Sequence, residues 1–163
     1  MLPRLPVEVV RIRLKRAKEL GIDYKSYASI RAASGRDVLA FLFSSNALRV
    51  FKATDNLPAD RADRLRAVKN CGRLLMVAPP MVPEEVAALL SDDVPFDAAG
   101  PAPRFTDTWG ETRARVSEIL NPQKFPSAGV VMIGDTGFER DCAGAARLGA
   151  YLEANRFFAE KSA

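Results

Sequence analysis

The sequence predicts an α/β domain: a small sheet of three to four mostly parallel strands, flanked by helices in three layers and preceded by a basic helical hairpin. Three observations lead there. The apolar runs VLAFLF (38–43), RLLMVAPP (73–80) and VVMI (130–133) show no polar alternation, so each is expected to be buried on both faces, as strands of a parallel sheet are. Between them lie segments with apolar residues three and four apart, the helical period. Each run also ends in residues that break or turn the chain: Ser44-Ser45-Asn46, Pro79-Pro80 and Gly134-Asp135-Thr136-Gly137. The whole of 1–163 reads as one domain, with the hairpin over 1–36 and the sheet-containing core over 37–163.

Taken in order, Pro6 suits a first helical turn, and Val7, Val10, Leu14 and Ala17 give an amphipathic helix over 7–20 that stops at Gly21. A shorter helix follows over 25–33, closed by Ser34-Gly35, with Tyr24 and Tyr27 as core or rim aromatics. Its turn, Gly21-Ile22-Asp23, loosely resembles that of a helix-turn-helix. After VLAFLF, Ser44 or Ser45 reads either as an anion-binding hydroxyl or as the cap of a helix from Ala47. A helix over roughly 60–70 stops at Gly72, and a second short one runs from Glu84 to Leu90. The stretch from Asp92 to Pro103 is the most loop-like, a candidate flap. Thr106 or Asp107 is expected to cap a helix reaching Leu120, with Trp109, Val116 and Leu120 on its inner stripe. The last unit is VVMI, its Gly-Asp turn, and a helix whose Cys142, Ala145, Ala146 and Gly149 let it lie close on the sheet.

Composition narrows the chemistry. At 163 residues a domain buries ~70% of the surface its unfolded chain exposes, enough to fold without disulfides or structural metal. Cys71 and Cys142 fit no metal-ligand spacing, which suits a reducing, cytoplasmic setting. No apolar run approaches the ~20 residues of a membrane span, so no membrane partner is expected. The N-terminal residues lack the apolar region of a secretory signal, and Glu8 and Glu19 speak against a transit peptide. The chain has no histidine, which excludes imidazole bases, Ser-His-Asp triads and histidine-ligated zinc. The net charge of +4 hides a polarity. Residues 1–36 carry nine Lys/Arg against three Asp/Glu, a local +6, whereas residues 79–112 carry Arg104 against seven acids, a local −6. The basic segment suits a solvated face, or a nucleic-acid or acidic protein partner met through Arg11, Arg13, Lys15, Arg16 and Lys18. The acidic segment could equally dock a partner.

Residues 130–151 carry the strongest local signal. A carboxylate, Asp135, stands where a strand ends and a small-residue helix begins, with Glu139 and Asp141 close behind, a place suited to a cation or to a phosphate held through one. The pattern hhhhGDT, followed by acids and that helix, resembles the fourth motif of the haloacid dehalogenase superfamily. The resemblance implies that Asp135, Glu139 and Asp141 hold Mg²⁺. It implies further that Ser44, Ser45 and Asn46 stand as the family's second motif and that Arg104 takes the place of its basic third motif, so that these residues bind a phosphorylated small molecule. The family's first motif, a central strand ending in Asp-x-Asp whose first Asp is the nucleophile, has no counterpart before Val38; the nearest placement, Arg11-Ile12-Arg13, has the opposite charge. No catalytic residue is therefore named. Either residues 7–13 are that strand in altered form or the sheet is arranged differently. The expected function is a phosphate- and Mg²⁺-binding protein of this type, a phosphohydrolase without its nucleophile. The alternative is a non-catalytic nucleic-acid-binding or regulatory domain using the basic helices.

Overall fold

The computed structural model describes residues 5–159; residues 1–4 and 160–163, the two ends of the expected single domain, lie outside. Five strands form one parallel sheet: β1 (Ala40–Ser44), β2 (Gly72–Val77), β3 (Ala98–Pro101), β4 (Val130–Gly134) and β5 (Ala150–Glu153). Their order across the sheet is β3-β2-β1-β4-β5, which puts β1 in the centre with β2 and β4 as its neighbours. Every residue of β1 is buried, as a strand with both faces covered requires.

Because side chains alternate along a strand, β1 feeds two cores. Phe41 and Phe43 face one side, where they meet α1 (Val7–Leu20), α2 (Tyr24–Ser34), α3 (Ala59–Ala67), α4 (Pro83–Leu90) and α7 (Ala154–Phe157) through residues such as Leu20, Tyr27, Leu65, Val86 and Phe157. Ala40 and Leu42 face the other, against α5 (Trp109–Leu120) and α6 (Gly137–Ala145) through Val116, Ile119, Cys142 and Ala143. The result is the expected three-layer α/β architecture.

The open question over residues 7–13 resolves as helix: they lie in α1, and the central strand is β1 itself. Gly21 ends α1 in the left-handed region at φ 76°, where its N–H reaches the carbonyl of Lys18. Asp23 then caps α2, its carboxylate accepting from the Ser26 N–H. One part-buried side chain fastens this front pair to the sheet. Arg16 donates from Nε to Asp37 at 3.0 Å and from its terminal nitrogens to the carbonyls of Val38, Lys69 and Asn70. Asp37 also accepts from the Tyr27 hydroxyl at 2.8 Å.

Several expectations change in detail. The loop-like stretch from Asp92 to Pro103 contains an edge strand, β3, and another edge strand, β5, follows α6. No helix starts at Ala47; Ser45 to Arg49 form turns. The cap of α5 is Thr108, in a reciprocal capping box with Glu111, in place of Thr106 or Asp107. Trp109, at the first position of that helix, is 68% exposed and lies off the core stripe, which begins a turn later at Thr112 and Val116.

Candidate functional site

In a doubly wound sheet the chain runs outward in two directions from one place, and beyond the strand ends there the loops part to leave a crevice. Here that place lies between β1 and β4: the chain leaves β1 toward β2 and β3, and returns to β4 and β5 on the opposite side. The residues that follow the two strands are Ser45-Asn46 and Asp135-Thr136. The two expected motifs are therefore brought side by side.

The β4 side is shaped by local hydrogen bonding. Gly134 has no room for a side chain, since a Cβ there would sit 2.6 Å from the Tyr151 ring. Thr136 caps α6, its hydroxyl accepting from the Glu139 N–H at 3.1 Å. Glu139, itself only 4% exposed, turns back so that its carboxylate accepts from the Asp135 N–H at 2.8 Å and from the Asn46 side-chain amide at 3.4 Å. Asp135 is left free of capping duty. Its carboxylate points instead to Arg49, 3.8 Å away in the turn after β1. Behind it, burial and the nearby Glu139 charge push the Tyr151 phenol up to about 12.

On the β1 side both serines are buried and occupied. Ser44 Oγ accepts from the Ala47 N–H and Ser45 Oγ from the Ala78 N–H, each at 3.0 Å, so the second ties the end of β1 to the end of β2. Asn46 reaches across to Glu139. Arg49 takes a left-handed backbone at φ 61°, an unfavourable region for a residue with a Cβ.

A further charged residue, absent from the expected set, is buried in the connection that follows β1. Arg61 lies in the first turn of α3, is only 7% exposed, and stacks its guanidinium over the Phe158 ring at 4.3 Å. It donates no hydrogen bond to any described residue and has no ion pair among them. Its pKa is drawn down by desolvation and then by the positive charge of Arg49, with Asp60 and Asp135 acting in the opposite sense.

The other expected residues lie apart. Asp141, two positions beyond Glu139 and so on another face of α6, borders a hollow with Phe105, Asp107, Trp109, Thr112 and Phe138. Arg104 is exposed; its backbone N–H donates to Asp107, and its guanidinium has no partner among the described residues. Asp135, Glu139 and Asp141 are not assembled as one three-ligand set: among the described residues no three acidic or cysteine side chains come together in a way that could hold an ion. Cys71 and Cys142 are structural thiols, pushed by burial to about 12 and about 11, too high for a reactive thiolate. In the basic hairpin Arg16 is consumed by its four acceptors, whereas Arg11, Lys15 and Lys18 remain exposed. No helix among the described residues is long and apolar enough to cross a membrane.

The strand order defines a doubly wound α/β fold, with polar side chains of Ser45, Asn46, Asp135 and Glu139 gathered at its switch point. Compared with protein-family models and with curated protein sequences, the chain finds no match.

Arg49 and Arg61 escape a reading of the sequence because neither belongs to a motif. The one available signal was position: both lie in the connection that follows β1.

Proposed function

We propose that the chain is a relative of the haloacid dehalogenase fold that binds a phosphorylated small molecule at the β1/β4 crevice without hydrolysing it. The observation that carries this reading is the place of Phe43-Ser44-Ser45-Asn46 at the end of the central strand, beside the turn at Asp135 that follows β4. In the family the central strand is the one that ends in Asp-x-Asp. On this alignment Ser45-Asn46 belongs with the nucleophile motif, in place of the second motif suggested by order along the chain. Phe43 is fully buried, and the two hydroxyls that follow are buried and engaged as acceptors. No histidine is present to activate them, and Glu139 already receives two N–H donors. What remains is recognition without the covalent step.

The alternative, a nucleic-acid-binding surface on the basic helices, draws support from the exposed Arg11, Lys15, Lys18, Lys25 and Arg36 and the half-buried Arg13. Two measurements test the leading reading together. Titration of inorganic phosphate followed by amide NMR should shift Asn46, Asp135 and Thr136, while turnover of an aryl phosphate should stay at background with or without Mg²⁺. Robust turnover would mean that a nucleophile has been overlooked, and an unchanged spectrum would remove the crevice from consideration.

A further inference from the structure

Two aromatic rings of this chain lie well outside its cores. Phe105 is 85% exposed and Trp109, the single tryptophan, is 68% exposed, more than any other aromatic side chain among the described residues. One ring left in water is ordinary, but these two border the same hollow, of about 190 Å³, and a third ring, Phe138, lines it with them.

The walls follow from helical spacing. Phe138, Asp141 and Cys142 stand at i, i+3 and i+4 on α6, so they share one face of that helix and turn it toward the hollow. Opposite them are Trp109, in the first turn of α5, and Phe105 and Asp107 in the segment that leads into it. Phe105 joins the two walls, its ring centroid 4.3 Å from that of Phe138 at a tilt of 40°.

The charge around the hollow is negative. Asp107 is engaged: it accepts from the Arg104 N–H at 2.9 Å and lies 2.7 Å from Arg115 Nε. Asp141 is exposed and has neither a hydrogen-bond nor an ion-pair partner for its carboxylate among the described residues. Arg115 and Arg113, the two cations of α5, are committed to Asp107 and to the carbonyl of Ala145. Burial, and after it the carboxylates of Glu139, Asp141 and Asp107, push the Cys142 thiol on the floor up to about 11, so the three charges act there in one direction.

Ring faces and an uncompensated carboxylate both draw a cation. The hollow is smaller than the ~300–1,000 Å³ of a pocket for a drug-sized ligand, so it takes a small group. With one unengaged carboxylate it offers few acceptors, and a cation whose N–H bonds are replaced by methyl groups gives up least on leaving water for it.

We infer that the hollow between α5 and α6 binds a methylated ammonium group, held against the rings of Trp109, Phe105 and Phe138 with Asp141 as its counter-ion. This goes beyond the reading of the β1/β4 crevice and does not depend on it.

The test follows the fluorescence of Trp109 while choline chloride or tetramethylammonium chloride is added. Sodium chloride at matched ionic strength and neohexanol, the uncharged isostere of choline, serve as controls. Both cations should change the emission saturably in the millimolar range, and neohexanol should bind about ten-fold more weakly than choline. Asp141→Asn and Phe105→Ala, both at exposed positions that the fold does not need, should each weaken choline binding about three-fold or more. A response that sodium chloride reproduces, equal affinity for choline and neohexanol, or choline affinity unchanged in either variant would overturn the assignment.

Discussion

Replacing Phe41 by alanine probes the architecture at its centre. The side chain is fully buried on β1, with Arg73 of β2 and Val131 of β4 opposite it in the two flanking strands. Its ring lies 5.2 Å from that of Phe157 in an edge arrangement and 5.9 Å from that of Phe43. Truncation removes the transfer free energy of the ring and leaves a cavity that cannot readily collapse, because strands bound on both sides and the Phe157 ring hold its walls apart. The expected loss is about 3–5 kcal/mol. For a domain of ordinary stability, ~5–15 kcal/mol, that is from about a fifth to the whole of the total. Urea denaturation followed by far-UV circular dichroism should show a lower midpoint at unchanged slope, as a pure stability change requires. A double-mutant cycle with Phe157→Ala should show a coupling of ~1 kcal/mol from the lost edge contact. A loss below about 1 kcal/mol for Phe41→Ala would refute the central placement of β1 and, with it, the switch point on which the crevice depends.

Two further outcomes follow from the same physics. Arg16→Ala should destabilise the fold by about 1–3 kcal/mol in the same urea assay, since it takes the cation from Asp37 and the donors from three carbonyls, whereas Arg11→Ala on the exposed face should change stability by less than about 0.5 kcal/mol; equal effects would show that the Arg16 anchor contributes nothing. Asp23, Asp55 and Asp107 all titrate below the ordinary aspartate value of 3.8: Asp23 through hydrogen bonds from Ser26, Asp55 through the N–H groups of Phe51 and Lys52, and Asp107 through the N–H of Arg104 with Arg115 nearby. A lowered folded pKa gives stability that is complete above the unfolded value and is lost as pH falls through the folded one. With no histidine in the chain, melting temperature should stay nearly level between about pH 5 and 8 and fall only below about pH 4; a midpoint of loss near pH 6 would contradict this account.

The features legible in the sequence are those set by local pattern. VLAFLF, RLLMV and VVMI are apolar on both faces because the sheet is covered on both, so three strands could be read without knowing their neighbours. The two edge strands could not. Ala98–Pro101 and Ala150–Glu153 are four residues each, partly exposed, poor in β-branched residues, and one ends in proline; their strand character comes from pairing with β2 and β4. Trp109 fits a helical stripe by spacing, but a residue at the first position of a helix projects beyond the packed turns, and this one stays in solvent. At the crevice Asp135 and Asn46 were readable as strand-end residues. The roles of Glu139 and Arg49 were not, because each depends on which backbone N–H or carboxylate lies within reach.

The central position of β1 also sets a condition on how the protein is made. Its partner β2 follows soon in the chain, but Ala40 meets Val130 and Phe43 meets Ile133, so its second edge waits for residues that lie some ninety positions later. Until β4 arrives, the most apolar segment of the chain presents a row of open backbone donors and acceptors, the feature by which sheet edges recruit other chains. Closing so long a loop is entropically expensive, so pairing of β1 with β4 belongs to the late and slow events of folding. The seam between β1 and β4 can thus close only once residues 130–134 are in place, and until then the central strand keeps an open edge of the kind that recruits other chains.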